Sequence, residues 1–123
     1  MSRNKPPTST VSELVDQYVA ISLAQFDAIR NDDSAKFNHL VDGLIAVEDE
    51  LRKRASDERA ALLSLYAHDN PQVRLNAATA TLTVAPAQAR AVLEKIRASQ
   101  EQPQALDAGM TLWNLERGVF KPT

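Results

Sequence analysis

Apolar residues recur at steps of three and four along most of the chain, which is the spacing that places side chains on one face of an α-helix. The first such stripe predicts a helix that runs from Val11 to about Arg30. Thr10 followed by Glu13 fits a capping box, in which the two side chains satisfy the free amides of the first turn. The stripe consists of Val11, Leu14, Val15, Tyr18, Ile21, Phe26 and Ile29.

A second stripe predicts another long helix. Ser34 is its expected N-cap, and the helix is expected to end at the basic run Arg52-Lys53-Arg54. Basic side chains near a helix C-terminus complement the negative end of its dipole. Gly43 lies inside this helix, where we expect a close approach of a neighbouring helix. Because the link between the stripes is short, the two helices are predicted to form an antiparallel hairpin.

The third and fourth helices carry clear start signals. Ser56-Asp57 is expected to open the third helix, which continues through Tyr66. Asn70 is a good N-cap, and Pro71 suits the first helical position because its missing N–H costs nothing there. The fourth helix is predicted to run to Val84, where another proline follows closely.

The last two helices are predicted to begin at Pro86 and Pro103, and Gly118 is a natural residue just past the final turn. No segment alternates β-branched and polar residues between turn signals, so no strand is predicted. The fold class is therefore all-α, with a long N-terminal helical hairpin followed by two shorter helix pairs.

A shift of about 31 residues aligns the second half of the chain with itself. Units of two helices that repeat at this period are typical of an α-solenoid. The alignment predicts that Trp113 and Met110 belong to the core, since Trp113 occupies the place of a leucine. The paired residues are Leu62 with Leu93, Leu65 with Ile96, Leu75 with Leu106, Ala77 with Ala108, and Leu82 with Trp113.

The segment AHDNPQVRLNAATATL, residues 67–82, resembles the turn and second helix of a HEAT repeat. Over about residues 12–120 the chain resembles the bacterial DUF2019 family, through SELVDQYV, ELRKR, HDNPQVRLNAA, VAPAQARAVLE and DAGMTL. The resemblance implies a HEAT-like α-α superhelix of about six helices and no particular activity. It also implies an immunity-type partner, because some relatives resemble neighbours of polymorphic toxin systems. The resemblance to a HEAT repeat implies that Arg74 pairs with Asp69 or a turn carbonyl.

Composition removes several classes of function. The chain has no cysteine, which excludes a disulfide framework and a thiolate metal site and agrees with a cytoplasmic location. No apolar segment is long enough for a membrane span, so no membrane partner is expected. The net charge of −2 carries no electrostatic signature of nucleic-acid binding. Residues 1–9 are expected to form a flexible arm, 10–120 one HEAT-like domain and 121–123 a short tail.

Catalytic signals are weak, and neither an enzyme nor a cofactor or metal site is predicted. His39 and His68 lie in no ligand motif, and His68 is better explained by the turn that it occupies. The carboxylates at 48–50 and 57–58 are expected to form a solvated face paired with Arg52, Lys53 and Arg54. The serines include no nucleophile elbow. A small hydrolase remains only a remote alternative.

The function predicted from these observations is that of a non-catalytic protein-interaction module with a partner of unknown identity. Binding of nucleic acid by a HEAT-like surface is the alternative, and a homodimer through the long hairpin stays open. Helical position alone selects five possible partner-binding residues: Arg74, Asn76, Thr79, Asp107 and Asn114.

Overall fold

Six helices make up the part of the chain that the computed structural model describes, residues 9–123, and this part contains no strand. The all-α prediction is confirmed. The predicted arm lies outside the described residues except for Ser9, and the single domain at 10–120 stays a prediction. The helices are α1 Val11–Arg30, α2 Ser34–Lys53, a 3₁₀ helix Glu58–Ala67, α3 Pro71–Ala80, α4 Pro86–Ala98 and α5 Gln104–Glu116.

The described residues divide into two compact units, a first unit that ends at Ala61 and a second unit that runs from Leu62 to Thr123. In the first unit, α1 begins with the predicted capping box: Glu13 N–H donates to Thr10 Oγ1 at 3.0 Å, and Thr10 N–H donates to Glu13 Oε1 at 2.8 Å. After Arg30 the chain turns through Asp32, whose φ of 56° lies in the left-handed region that aspartate tolerates. This short turn closes the predicted hairpin of α1 and α2.

The start of α2 lies one residue earlier than predicted. Asp33, not Ser34, is the N-cap, and its Oδ1 accepts a hydrogen bond from Lys36 N–H at 3.1 Å. A carboxylate at this position also interacts favourably with the positive end of the helix dipole. At Gly43, where a close approach was expected, a Cβ would lie 3.4 Å from Ile21 Cδ1 of α1, an ordinary van der Waals distance, so the contact does not require glycine.

The third predicted helix is a 3₁₀ helix rather than an α-helix, and it starts at Glu58. Asp57 adopts a φ of 51° and its carboxylate accepts hydrogen bonds from Arg59 Nε at 2.8 Å and Nη2 at 2.7 Å. This pairing holds the pKa of Asp57 below its usual range, chiefly through the hydrogen bond. The buried residues Leu62 and Leu65 are three apart, which matches three residues per 3₁₀ turn.

In the second unit, α3 starts as predicted, with Asn70 Oδ1 accepting from the backbone N–H of Gln72 at 2.8 Å. It ends at Ala80 instead of Val84. Thr81, fully buried, donates from Oγ1 to Ala77 O at 2.8 Å, and its hydroxyl lies 2.6 Å from the Tyr66 hydroxyl. This side-chain bonding accompanies the end of the helix.

Buried residues of α3, α4, α5 and the turn after α3 form one apolar core in the second unit. Half-buried Tyr66, Val92, Leu115 and Phe120 pack against its edge. Gly118, with a φ of 73°, follows the last helix as predicted. The core comprises Leu75, Ala78, Leu82, Ala89, Leu93, Ile96, Ala108 and Leu112.

The repeat keeps its offset of 31 in the earlier helices, where Leu62 and Leu93 are both fully buried. In α5 the burial pattern follows an offset of 30 instead, so the predicted pairs that end at Leu106 and Trp113 are wrong. Leu75, Ala78 and Leu82 of the first repeat correspond in burial to Ala105, Ala108 and Leu112 of the second.

Candidate protein-interaction surface

Three large apolar side chains lie on the solvent side of α5. Leu106 is 63% exposed, Met110 45% and Trp113 53%. Their spacing of four and three residues puts them on one line along the helix. We call these three residues the α5 stripe.

The prediction that Trp113 and Met110 belong to the core is wrong. The buried face of α5 consists of Gln104, Ala105, Ala108 and Leu112. Each residue of an α-helix is rotated by about 100° from the one before it, and this rotation takes Trp113 from the side of buried Leu112 to the solvent side. A repeat offset shorter by one residue therefore moves Leu112 into the core and Trp113 out of it.

A shallow groove of about 460 Å³ runs along the α5 stripe on the side of α4. The small residues Ala105 and Gly109 form its floor, and Arg97 of α4 forms the side opposite the α5 stripe. A Cβ at Gly109 would lie 3.3 Å from Arg97 Cδ, so the aliphatic part of the arginine lies across the glycine. The groove thus combines apolar walls with a cationic margin.

Two arginines stand beside the α5 stripe. The Arg117 guanidinium lies 4.9 Å from the centre of the Trp113 ring, a cation–π geometry. Arg97 forms an exposed salt bridge with Glu94, one turn earlier on α4. Trp, Met and Arg are enriched at protein interfaces, so the composition of this surface suits a contact with another protein.

Arg74, the first of the predicted contact residues, bonds within the second unit. Its Nη2 donates to Asp69 O at 3.3 Å and to Glu101 Oε1 at 3.2 Å. The expectation that it holds a turn carbonyl is confirmed, with Glu101 as a partner that sequence reasoning missed. Arg74 Nε is buried and has no hydrogen-bond partner among residues 9–123.

Asn76 and Thr79 are half-buried on α3 and also bond internally. Asn76 Oδ1 accepts from Gln72 Nε2 at 3.1 Å, and Thr79 Oγ1 donates to Leu75 O at 2.9 Å. Arg74 and Asn76 are two residues apart, so the helix turns them to different sides. The structure therefore does not gather the three predicted residues of α3 on one face.

Asp107 and Asn114 lie on α5, seven residues apart and hence on one side of the helix, next to the α5 stripe. Burial raises the pKa of the Asp107 carboxyl. The backbone carbonyl of Asn114 accepts from Val119 N–H at 2.9 Å and Phe120 N–H at 3.1 Å. Their role in partner binding stays a prediction.

A buried polar chain links α3 to α5 behind this surface. Gln104 Nε2 donates to Gln72 Oε1 at 3.0 Å, and Gln72 Nε2 in turn donates to Asn76 Oδ1 at 3.1 Å. Gln72 and Gln104 are 3% and 1% exposed, and sequence reasoning missed both. Because the two glutamines are 32 positions apart, the local sequence gives no signal of the contact.

The carboxylate cluster of the first unit is only partly the solvated face that was predicted. Asp49 pairs with Arg52, and Glu50 pairs with Lys53 and Arg54, as expected. Glu48 instead accepts a hydrogen bond from the buried Tyr18 hydroxyl at 2.7 Å. Burial raises the pKa of both groups, and it is the largest cause in each case.

A second groove, of about 670 Å³, lies between α1 and α2 over Gly43 and Ala46. Its charged margin consists of Asp49, Glu50 and Lys53, whose charges pair with one another or with neighbouring arginines. The groove therefore carries no unpaired charge of its own that selects a ligand.

The histidines occupy separate places. His39 is exposed on α2, whereas His68 Nδ1 accepts from Asn70 N–H at 3.0 Å and so belongs to the turn before α3, as predicted. Within residues 9–123, no three His, Asp or Glu side chains are grouped to hold a metal ion. None of the described helices is both long and apolar enough to cross a membrane.

The chain is similar to one protein-family model and to a protein of known structure. A family model described as a domain of unknown function, DUF2019, matches residues 12–116. The chain is 42% identical to the protein RPA1889 from Rhodopseudomonas palustris CGA009, whose crystal structure has been solved. That match covers 98% of this chain and 100% of the other, with a TM-score of 0.93. No curated protein gives a significant match.

Proposed function

This protein belongs to the DUF2019 family, and we propose that it is a non-catalytic module that binds another protein through the α5 stripe. The observation that carries the proposal is the exposure of Leu106, Met110 and Trp113 in one line. A contiguous group of large apolar side chains at the surface is typical of a binding site, whereas single exposed apolar residues are ordinary.

The neighbouring groups support the same function. Arg117 holds the Trp113 ring by a cation–π contact, which orders a side chain that a partner would otherwise have to fix on binding. The buried Gln72–Gln104 bond attaches α5 to α3, so the stripe lies on a helix whose position is set from behind. A rigid helix presents anchor side chains at a lower entropic cost than a loop does.

Nucleic-acid binding remains the alternative, and the described contacts give it no support of their own. Two arginines of the second unit are neutralised by carboxylates, Arg97 by Glu94 and Arg74 by Glu101. Titration with duplex DNA at low and raised salt addresses this alternative directly, because phosphate contacts make binding salt-dependent.

Further parts of the proposal concern the arrangement of the helices, the cellular location and the type of partner. We propose a HEAT-like arrangement and an immunity-type partner such as a toxin, as the sequence resemblance implies, and a cytoplasmic location, with which the absence of cysteine agrees. Sedimentation of the purified chain tests the further possibility of a homodimer through the α1–α2 hairpin.

The test of the function is affinity capture with a matched pair of surface variants. The double variant Leu106→Ser/Met110→Ser removes two members of the α5 stripe. The control Leu23→Ser/Ile45→Ser makes the same change at residues that are 41% and 47% exposed in the first unit. We expect the control to retain the captured partner and the stripe variant to lose it.

Circular dichroism and the melting temperature establish that both variants are folded before capture. Equal capture by the stripe variant and the control would show that the stripe is not the binding surface. Turnover of a substrate in a broad hydrolase screen, abolished by His39→Ala, would replace the binding role with an enzymatic one.

A further inference from the structure

We draw no further inference here: the strongest candidate, the groove between α1 and α2 over Gly43 and Ala46, is an open apolar surface, and nothing in the structure shows what covers it.

Discussion

The hydroxyl of Tyr18 donates a 2.7 Å hydrogen bond to Glu48 Oε2 and so joins α1 to α2 within the first unit. Tyr18 is completely buried, and Glu48 is partly buried beside it. A hydrogen bond to a charged acceptor is stronger than one between neutral groups. The pair therefore fixes the register of the hairpin by a contact between residues 30 apart in sequence.

Tyr18→Phe is expected to lower the free energy of unfolding by about 1–3 kcal/mol, because Glu48 then loses its buried donor. Urea denaturation monitored by circular dichroism measures the change. Glu48→Ala and the double variant Tyr18→Phe/Glu48→Ala complete a double-mutant cycle, because each single change removes the hydrogen bond. Strictly additive effects would mean that the hydrogen bond contributes nothing to stability.

Glu48 also predicts a pH dependence. Burial raises its pKa in the folded state, with Asp49 adding to the rise and the Tyr18 bond and Arg59 opposing it. The folded state thus holds this proton more tightly than the unfolded chain. The resulting stability is fully present below the ordinary carboxyl pKa and is lost as the pH rises through the raised value.

Glu48→Gln keeps an acceptor for Tyr18 but cannot ionise. Its melting temperature relative to the native chain should therefore increase between about pH 4 and pH 7, while other titrating groups cancel in the comparison. A constant difference across this range would contradict the raised pKa.

The Gln72–Gln104 bond predicts that one substitution costs more than two. Gln104→Met removes one partner and leaves the buried Gln72 carbonyl unsatisfied, at a cost of about 1–3 kcal/mol. Replacing both glutamines by methionine removes donor and acceptor together and should recover part of this loss. Chemical denaturation of the native chain, Gln104→Met and the double variant measures the change, and a double variant no more stable than Gln104→Met would exclude the explanation.

Arg74→Ala is expected to lower the free energy of unfolding by about 0.5–2 kcal/mol, through loss of the bonds to Asp69 O and Glu101. Glu101→Gln serves as the control, since it weakens the ion pair and leaves the carbonyl contact intact. An unchanged melting temperature combined with lost partner capture would instead make Arg74 a recognition residue.

Two glycines should respond to alanine with opposite signs. Gly118→Ala is expected to destabilise by about 1 kcal/mol, because its φ of 73° is unfavourable for any residue with a Cβ. Gly109→Ala is expected to stabilise by up to about 1 kcal/mol, the helix preference of alanine, since half-exposed Arg97 moves easily from the new methyl group. Thermal melts of the two variants decide between these signs.

Helix ends with their own chemical signal were predictable from the sequence. The capping box at Thr10 and Glu13 and the Asn70-Pro71 start both involve side chains that bond to amides within three residues. Such contacts depend on local sequence alone. Even there, two adjacent capping residues competed, and Asp33 rather than Ser34 took the position.

The features that depend on distant contacts were not predictable in this way. Thr81 at the end of α3 bonds to Tyr66, and Glu48 turns inward to Tyr18 across 30 residues. Trp113 is exposed because the repeat offset in α5 is 30 residues and not 31. The apolar pattern of the sequence fits both offsets equally well, so it could not distinguish them. The candidate surface was therefore missed because a large apolar residue is ordinarily buried.

Trp113 is the single tryptophan of the chain, and it lies at the surface under a guanidinium rather than in the core. Indole emission depends on how much water surrounds the ring, so the native protein should already emit as a solvated tryptophan. Unfolding would then change the emission wavelength little, while a molecule that settles on α5 would shift it to the blue. The protein thus carries a built-in optical probe at the proposed binding surface.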